Sequence, residues 1–77
     1  MVTTMKPGDM VRLFENNDYT FLTNDDKNSF LMFSQGEIGV VTELRNEKTR
    51  GRTFKFYRIV TSTGNSGWIE SYKVQKV

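Results

Sequence analysis

Residues 61–77 constrain the fold more than any other stretch of the chain, because a turn signal lies there between short β-like runs. Gly64 and Asn65 are turn formers, since glycine accepts positive φ and asparagine tolerates the left-handed region. Trp68 and Ile69 follow in a short apolar run, and Val74 lies in a closing run after a further short turn. The stretch predicts strand, tight turn, strand, short turn and final strand, and these strands need partners elsewhere in the chain.

The length and composition of the chain limit its size and its chemistry. We expect residues 1–77 to form one small domain, because a chain of this length buries only roughly 60% of its unfolded surface. The sequence contains no cysteine and no histidine, which excludes disulfides and the usual zinc sites. We therefore expect neither a metal nor a cofactor.

Three features of the sequence favour a cytoplasmic protein. A secreted domain of this size normally carries disulfides, and this chain has no cysteine. Residues 1–5 lack the apolar segment of a signal peptide. No apolar run approaches the roughly 20 residues of a membrane span, so we expect no membrane partner.

The apolar pattern predicts an all-β chain. No window of about 11 residues keeps apolar side chains at helical spacing, and threonine, valine, phenylalanine and tyrosine are frequent. Pro7 and Gly8 predict a turn before the first strand, in which Val11 and Leu13 share one face. The clearest strand spans residues 36–44, and its predicted common face consists of Ile38, Val40, Thr42 and Leu44. Within it, Gly39 predicts a close backbone approach or a bend.

Residues 15–35 are the least regular stretch. Turn formers at 16–18 and at Asn24-Asp25-Asp26 flank an apolar segment at 19–23. We expect these residues to form the long irregular first loop of a small β-barrel. The loop is a hairpin that packs back on the barrel, and it either serves the function or covers the core. Residues 29–33 are expected to form a short strand whose apolar side chains cover the core.

Residues 45–51 predict a polar hairpin loop, followed by a strand at 53–60 that pairs with the strand before it. The apolar positions of this second strand change parity between Phe54/Phe56 and Tyr57/Ile59. A bulge near Phe56 or burial on both faces is needed to accommodate that change. Counting all runs, the sequence predicts five short strands in a small barrel or an orthogonal sandwich, either of which removes or shortens exposed edges.

The C-terminal pattern resembles Src-homology-3 domains, especially the bacterial kind. Residues 56–59 and 64–74 contain an aromatic pair, two glycines separated by two residues, an aromatic-aliphatic pair, a serine-containing turn and an aliphatic closing strand. Residues 33–37 are similar to the family's approach to its second strand, and residues 6–12 to the opening of KOW-type barrels. The resemblance touches about half of the chain. It implies a five-stranded Src-homology-3-like barrel with a short 3-10 turn before the last strand.

The best-known activity of that family is the docking of proline-rich peptides in an aromatic groove. The residues at the family's groove positions differ here. Arg12 and Phe14 stand where the family has tyrosines, and the position of its groove tryptophan falls near Lys55 or Phe56. Glu70 and Lys73 replace a proline and a tyrosine. We therefore expect no proline-rich ligand. Bacterial relatives bind cell-wall peptides after export, and this chain has no export signal.

The residues present favour a binding module over an enzyme. Without cysteine or histidine, a nucleophile would need Ser, Thr or Lys beside a carboxylate base. The carboxylates at 18 and 25–26 lie in turn-forming sequence, where hydrogen bonds to the backbone explain them. Trp68 either packs on the barrel or binds a partner, and Tyr72 either covers the core or binds.

Our first hypothesis is a protein-docking module, of bacteriophage or bacterial type, that binds through loops at one end of the barrel. Exposed aromatic residues serve there as anchors. The residues expected to form this surface are Phe14, Tyr19, Phe21, Trp68, Glu70 and Tyr72. A further alternative is an accessory protein with no partner beyond itself.

The distribution of charge supports a second hypothesis, nucleic-acid binding through residues 45–58. Residues 27–77 hold nine basic and four acidic side chains, whereas residues 1–26 hold two basic and five acidic ones. Lysine and arginine on phosphates make binding depend on salt, and neighbouring aromatics can stack on bases. Glu43 and Glu47 dilute the patch, and the alternative, a solvated hairpin loop that carries lysine and arginine, is favoured. The basic residues concerned are Arg45, Lys48, Arg50, Arg52, Lys55 and Arg58.

Overall fold

A computed structural model describes residues 5–24 and 30–77 as an all-β protein with a curled antiparallel sheet, a half-barrel. The strands and the one 3-10 turn are β1 (Met10–Leu13), β2 (Tyr19–Thr23), β3 (Phe30–Ser34), β4 (Gly39–Thr49), β5 (Arg52–Thr61), β6 (Ser66–Glu70), the 3-10 turn (Ser71–Lys73) and β7 (Val74–Lys76). The predicted short turn before the last strand is therefore present.

The seven strands form one sheet in the order β3-β2-β6-β5-β4-β1-β7. The prediction of five strands is wrong, because residues 19–23 and 30–34 form two regular strands where the sequence predicts a long irregular hairpin. They are β2 and β3, which pair antiparallel in continuous register from Tyr19–Ser34 to Thr23–Phe30. The predicted turn at Asn24-Asp25-Asp26 extends outside the described residues.

The β4–β5 hairpin is longer than the sequence predicts. Its register runs from Gly39–Thr61 to Thr49–Arg52, so residues 45–49 are strand and not loop. The connection consists of Arg50 and Gly51, whose φ angles are 53° and 78°. Two central residues with positive φ are typical of the tight hairpin turn whose twist matches that of the flanking strands.

One bulge interrupts the β4–β5 register, between Val41 and Glu43. The sequence predicts either a bulge near Phe56 on β5 or burial on both faces of that strand; the bulge lies on the partner strand, and β5 has Tyr57 and Ile59 on the core side and Phe54 and Phe56 on the outer face. The Thr42 hydroxyl, in the bulge, donates to the carbonyl oxygen of Arg58 at 3.3 Å. Val41 lies opposite Ile59 and Leu44 lies opposite Tyr57, so both face the core side. The prediction that Leu44 shares a face with Val40 is wrong, because the extra residue reverses the alternation.

The core lies on the concave side of the sheet, and every strand contributes to it. Val11 and Leu13 are both fully buried, as the alternation of β1 predicts. A Cβ at Gly39 would lie 2.8 Å from Cδ1 of Ile59, which confirms the predicted close approach. The buried hydrophobic residues are Met5, Val11, Leu13, Leu22, Phe33, Val41, Tyr57, Ile59, Ile69 and Val74.

The turn between β5 and β6 lies where the sequence predicts it. β5 ends at Thr61 and β6 begins at Ser66. Gly64 has a φ of 88°, and the Thr61 amide donates to the Asn65 carbonyl at 2.7 Å. The turn directs β6 back along β5, and β6 then pairs with β2 on its other side.

Candidate functional site

Four large apolar side chains lie together on the outer, convex face of β2 and β3. Tyr19, Phe21, Phe30 and Met32 are between 49% and 62% exposed. The ring centroids of Tyr19 and Phe21 are 5.7 Å apart and those of Phe21 and Phe30 are 6.5 Å apart, both pairs edge to face. We call these four residues the aromatic strip. They reach this face because alternate residues of a strand point to opposite sides, and the other set fills the core.

Beside the strip lies a cavity of about 200 Å³ on the same face of the sheet. Cross-strand pairing builds it: Trp68 on β6 lies opposite Thr23 on β2 and Arg58 on β5. Phe56 on β5 lies opposite Glu70 on one side and Arg45 on the other. We call this cavity the Trp68 pocket, and it is lined by Thr23, Asn24, Arg45, Glu47, Phe56, Trp68 and Glu70.

The Trp68 pocket contains charged groups that contact one another and the indole. The guanidinium carbon of Arg45 lies 5.4 Å from the centroid of the Trp68 ring. Nη2 of the same guanidinium is 3.2 Å from Oε1 of Glu47. On the opposite side, Oε2 of Glu70 is 2.9 Å from Nζ of Lys73. A cation thus already covers the aromatic face of the pocket, and each carboxylate has a basic neighbour.

A wider groove of about 500 Å³ lies between the β1–β2 connection and the 3-10 turn. Gln35 holds this connection, because its Nε2 donates to the carbonyl oxygens of Phe14 and Asn17, each at 2.8 Å. On the other side, Lys73 Nζ contacts Thr20 Oγ1 at 3.3 Å. We call this the Tyr72 groove, and its lining residues are Phe14, Asn16, Asn17, Tyr19, Thr20, Tyr72 and Lys73.

The six residues predicted for protein docking lie in the Trp68 pocket, the Tyr72 groove and the aromatic strip, which adjoin one another. Trp68 and Glu70 line the Trp68 pocket, and Phe14 and Tyr72 line the Tyr72 groove. Tyr19 belongs to both the groove and the strip, and Phe21 continues the strip. Most of them lie on strands, not on loops at one end of the barrel. The anticipated location is therefore wrong for Tyr19, Phe21, Trp68 and Glu70.

Sequence reasoning missed Phe30 and Met32, which it expected to cover the core. Residues 30–33 are all apolar, so both phases of the alternation look buried and the pattern does not separate them. In the structure Phe33 is fully buried and Leu31 partly buried, whereas Phe30 and Met32 face outward. The absence of any alternation was the signal that β3 presents apolar side chains on both faces.

The six basic residues predicted for nucleic-acid binding do not form one patch. Arg45, Arg52 and Arg58 lie on the outer face, whereas Lys48 and Lys55 lie on the other face of the hairpin and Arg50 forms its turn. Two of the outer arginines have carboxylate partners: Arg45 with Glu47 and Arg58 with Glu43, the latter pair at 3.9 Å.

No family model matches this chain, and comparisons with curated proteins and with solved structures find no match either. Across residues 5–24 and 30–77, no helix is long and apolar enough to cross a membrane. The same residues contain no group of three or more acidic side chains placed to hold a metal ion. The function of the protein must therefore be inferred from the geometry of the two depressions and the strip between them.

Proposed function

We propose that this protein is a non-enzymatic binding module that docks a protein partner on the outer face of β2, β3 and β6. The observation that carries the proposal is the aromatic strip, whose four side chains are about half exposed and adjoin one another. Contiguous apolar patches of a few hundred Å² on a small protein mark interaction sites. Aromatic anchors of this kind supply most of the binding energy at protein interfaces.

The size of the strip sets how much the neighbouring depressions must contribute. The three aromatic side chains expose about 300 Å² together, given about 150–250 Å² for each whole side chain. At about 25 cal/mol per Å², burial of that area contributes roughly 7 kcal/mol. Association costs about 4–15 kcal/mol in lost freedom. A stable complex therefore needs contacts in the Trp68 pocket or the Tyr72 groove as well.

The proposal includes assignment to the Src-homology-3-like barrels, in a bacterial or bacteriophage protein that acts in the cytoplasm. The 3-10 turn between β6 and β7 and the glycine pattern of the preceding hairpin support the assignment. Proline-rich peptides are not the proposed ligands. Glu70 and Lys73 stand where the family has a proline and a tyrosine. They form an ion pair at 2.9 Å, which makes this surface more polar than the family's aromatic groove.

The test is capture of partners from a host lysate by the tagged full chain, with and without nuclease. We expect the wild type to retain a protein partner whether or not nuclease is present. The double variant Tyr19→Ala/Phe21→Ala should lose it, because both side chains are exposed anchors whose removal leaves the core intact. Phe54→Ala is the matched control, since Phe54 is 42% exposed on the outer face of β5 and lines neither depression.

Two outcomes contradict the proposal. Equal capture by the wild type and the double variant shows that the strip is not the docking surface. Capture that nuclease abolishes, and that weakens steeply with added salt, assigns the protein to the alternative of nucleic-acid binding through residues 45–58. Circular dichroism of each variant confirms that the β fold is retained.

A further inference from the structure

The Trp68 pocket has the composition of a site for a cationic side chain. Two rings, Trp68 and Phe56, and two carboxylates, Glu47 and Glu70, line it. Aromatic faces attract a cation through the ring quadrupole, and carboxylates add direct charge attraction. A cationic side chain of the same chain already lines it, because Arg45 contacts both the indole face and Glu47.

We propose that the Trp68 pocket binds a lysine or arginine side chain of the protein partner, and that Arg45 occupies this site until the partner displaces it. The inference rests on the proposed function, because it names the partner group that enters the pocket beside the aromatic strip. Arg45 serves as an internal competitor that keeps the Trp68 ring and Glu47 covered in the unbound protein.

The charge of the pocket favours a cation over an anion. When Arg45 moves out, the lining of the pocket keeps two aromatic rings, polar side chains from the end of β2 and two carboxylates, of which Glu70 remains paired with Lys73 and Glu47 loses its basic partner. An entering phosphate or carboxylate would meet the unpaired Glu47 carboxylate at short range, and like charges repel in a partly enclosed site. An entering guanidinium or ammonium meets the same partners that Arg45 leaves.

Arg45 is placed to move without disturbing the sheet. Its side chain is 48% exposed, and exposed ion pairs contribute little to stability. Its backbone lies opposite Phe56 in a continuous part of the β4–β5 register, so the strand stays paired when the side chain rotates. The exchange replaces one guanidinium by another, and the apparent affinity of the wild type is reduced by the fraction of molecules in which Arg45 covers the site.

The experiment uses the full chain and N-acetyl-arginine amide as the probe. Trp68 is the only tryptophan of the sequence, so its fluorescence reports directly on the pocket. We expect a weak saturable change in the wild type and a dissociation constant about 3- to 10-fold lower in Arg45→Ala, because the competitor is gone. N-acetyl-citrulline amide, which has a similar shape without the charge, should give no saturable change.

Two kinds of control variant separate the pocket from general surface charge. Arg52→Ala removes an arginine from the same face of the hairpin outside the pocket, and it should bind the probe like the wild type. Glu47→Gln and Glu70→Gln, each made in the Arg45→Ala chain, should weaken probe binding several-fold, since each removes one negative charge from the site. Arg45→Gln is the second variant in case Arg45→Ala fails to fold.

The inference is overturned if neither Arg45 variant saturates with the probe, or if the citrulline probe gives the same response. It is also overturned if inorganic phosphate changes Trp68 fluorescence in the wild type and not in Arg45→Ala, which would make the pocket an anion site. If the probe does not bind but partner capture still depends on Tyr19 and Phe21, the proposed function stands and only the cation site is contradicted. If the probe binds but capture does not depend on Tyr19 and Phe21, only docking on the outer face of β2, β3 and β6 is contradicted.

Discussion

Tyr57 illustrates how the position of one residue on a strand determines its chemistry. It lies on β5 with Ile59 on the core side, while Phe54 and Phe56 lie on the outer face of the same strand. The change of parity in the sequence thus reflects burial of one set and partial exposure of the other. Burial raises the pKa of Tyr57 above its ordinary value of 10.0, because the core disfavours the phenolate.

This raised pKa predicts that Tyr57 makes stability fall at high pH. As the pH rises past 10.0, the unfolded chain loses the Tyr57 proton before the folded chain does. The folded state then binds more protons, so the free energy of unfolding decreases as pH rises through the raised pKa. Below pH 10.0 the protonated Tyr57 makes its full contribution to the free energy of unfolding.

The measurement is denaturant unfolding at about pH 8 and about pH 11, conditions on either side of the unfolded pKa. The wild type should lose more stability between them than Tyr57→Phe, which has no phenol to ionise. Tyr72→Phe is the control, since Tyr72 is exposed, and it should behave like the wild type. An equal loss in Tyr57→Phe and the wild type contradicts the assignment.

Among the elements, β6 connects the two parts of the sheet, because it pairs with β5 on one side and with β2 on the other. Gly67 allows the strands to approach closely. A Cβ built there would lie 2.8 Å from Leu22 Cβ and 3.1 Å from the Thr23 carbonyl oxygen. Neither atom is the flexible end of a side chain, so the contact cannot be relieved without moving β2.

We therefore predict that Gly67→Ala destabilises the fold by about 1–3 kcal/mol, the usual cost of overpacking a core. Denaturant unfolding measures the change. Ser66→Ala, at the adjacent residue with its side chain on the other face of β6, should change stability by less than about 0.5 kcal/mol. Equal stability of Gly67→Ala and the wild type would mean that β2 and β6 are not packed as closely as described.

In the whole molecule the two edges of the sheet differ. β7 is three residues long and carries Lys76, whose Nζ lies 3.7 Å from Oδ2 of Asp9. β3 is longer, has no charged residue and presents Phe30 and Met32 on its outer face. Short strands and lysines block edge-to-edge pairing, whereas an uncharged apolar edge invites it. In the described part of the chain, the sheet therefore has one edge protected against pairing, β7, and one edge open to pairing with a second copy, β3.

We predict that the purified protein self-associates as its concentration rises, and that Met32→Lys reduces this association. A lysine at the apolar edge repels its counterpart on a second copy and remains solvated. Sedimentation velocity at several concentrations measures the effect. Gln75→Lys adds the same charge to β7 and should sediment like the wild type. Unchanged association in Met32→Lys contradicts the assignment of β3 as the edge through which two copies associate.

Local patterns predicted much of the secondary structure and part of the candidate site. The turn at Gly64, the inward face of β1 and a short turn before the last strand follow from residue types and alternation within a few positions, whereas the 3-10 conformation of that short turn was implied by the resemblance to Src-homology-3 domains. Phe30 and Met32 were missed because β3 is apolar in both phases. The change of parity on β5 left a bulge near Phe56 and burial on both faces open, and only the structure shows that β5 is regular with apolar side chains on both faces while the bulge lies on β4.

The sequence by itself determined that this chain is all-β, with strands separated by turns rich in glycine and asparagine, because these preferences act over a few residues. Only the tertiary structure decided that β6 pairs with β2 and β5 together, since strand order depends on contacts between residues far apart in the chain. That order places Arg45 of β4 over Trp68 of β6, two strands away and 5.4 Å apart. The pocket therefore exists in the folded sheet, and no segment of the sequence contains it.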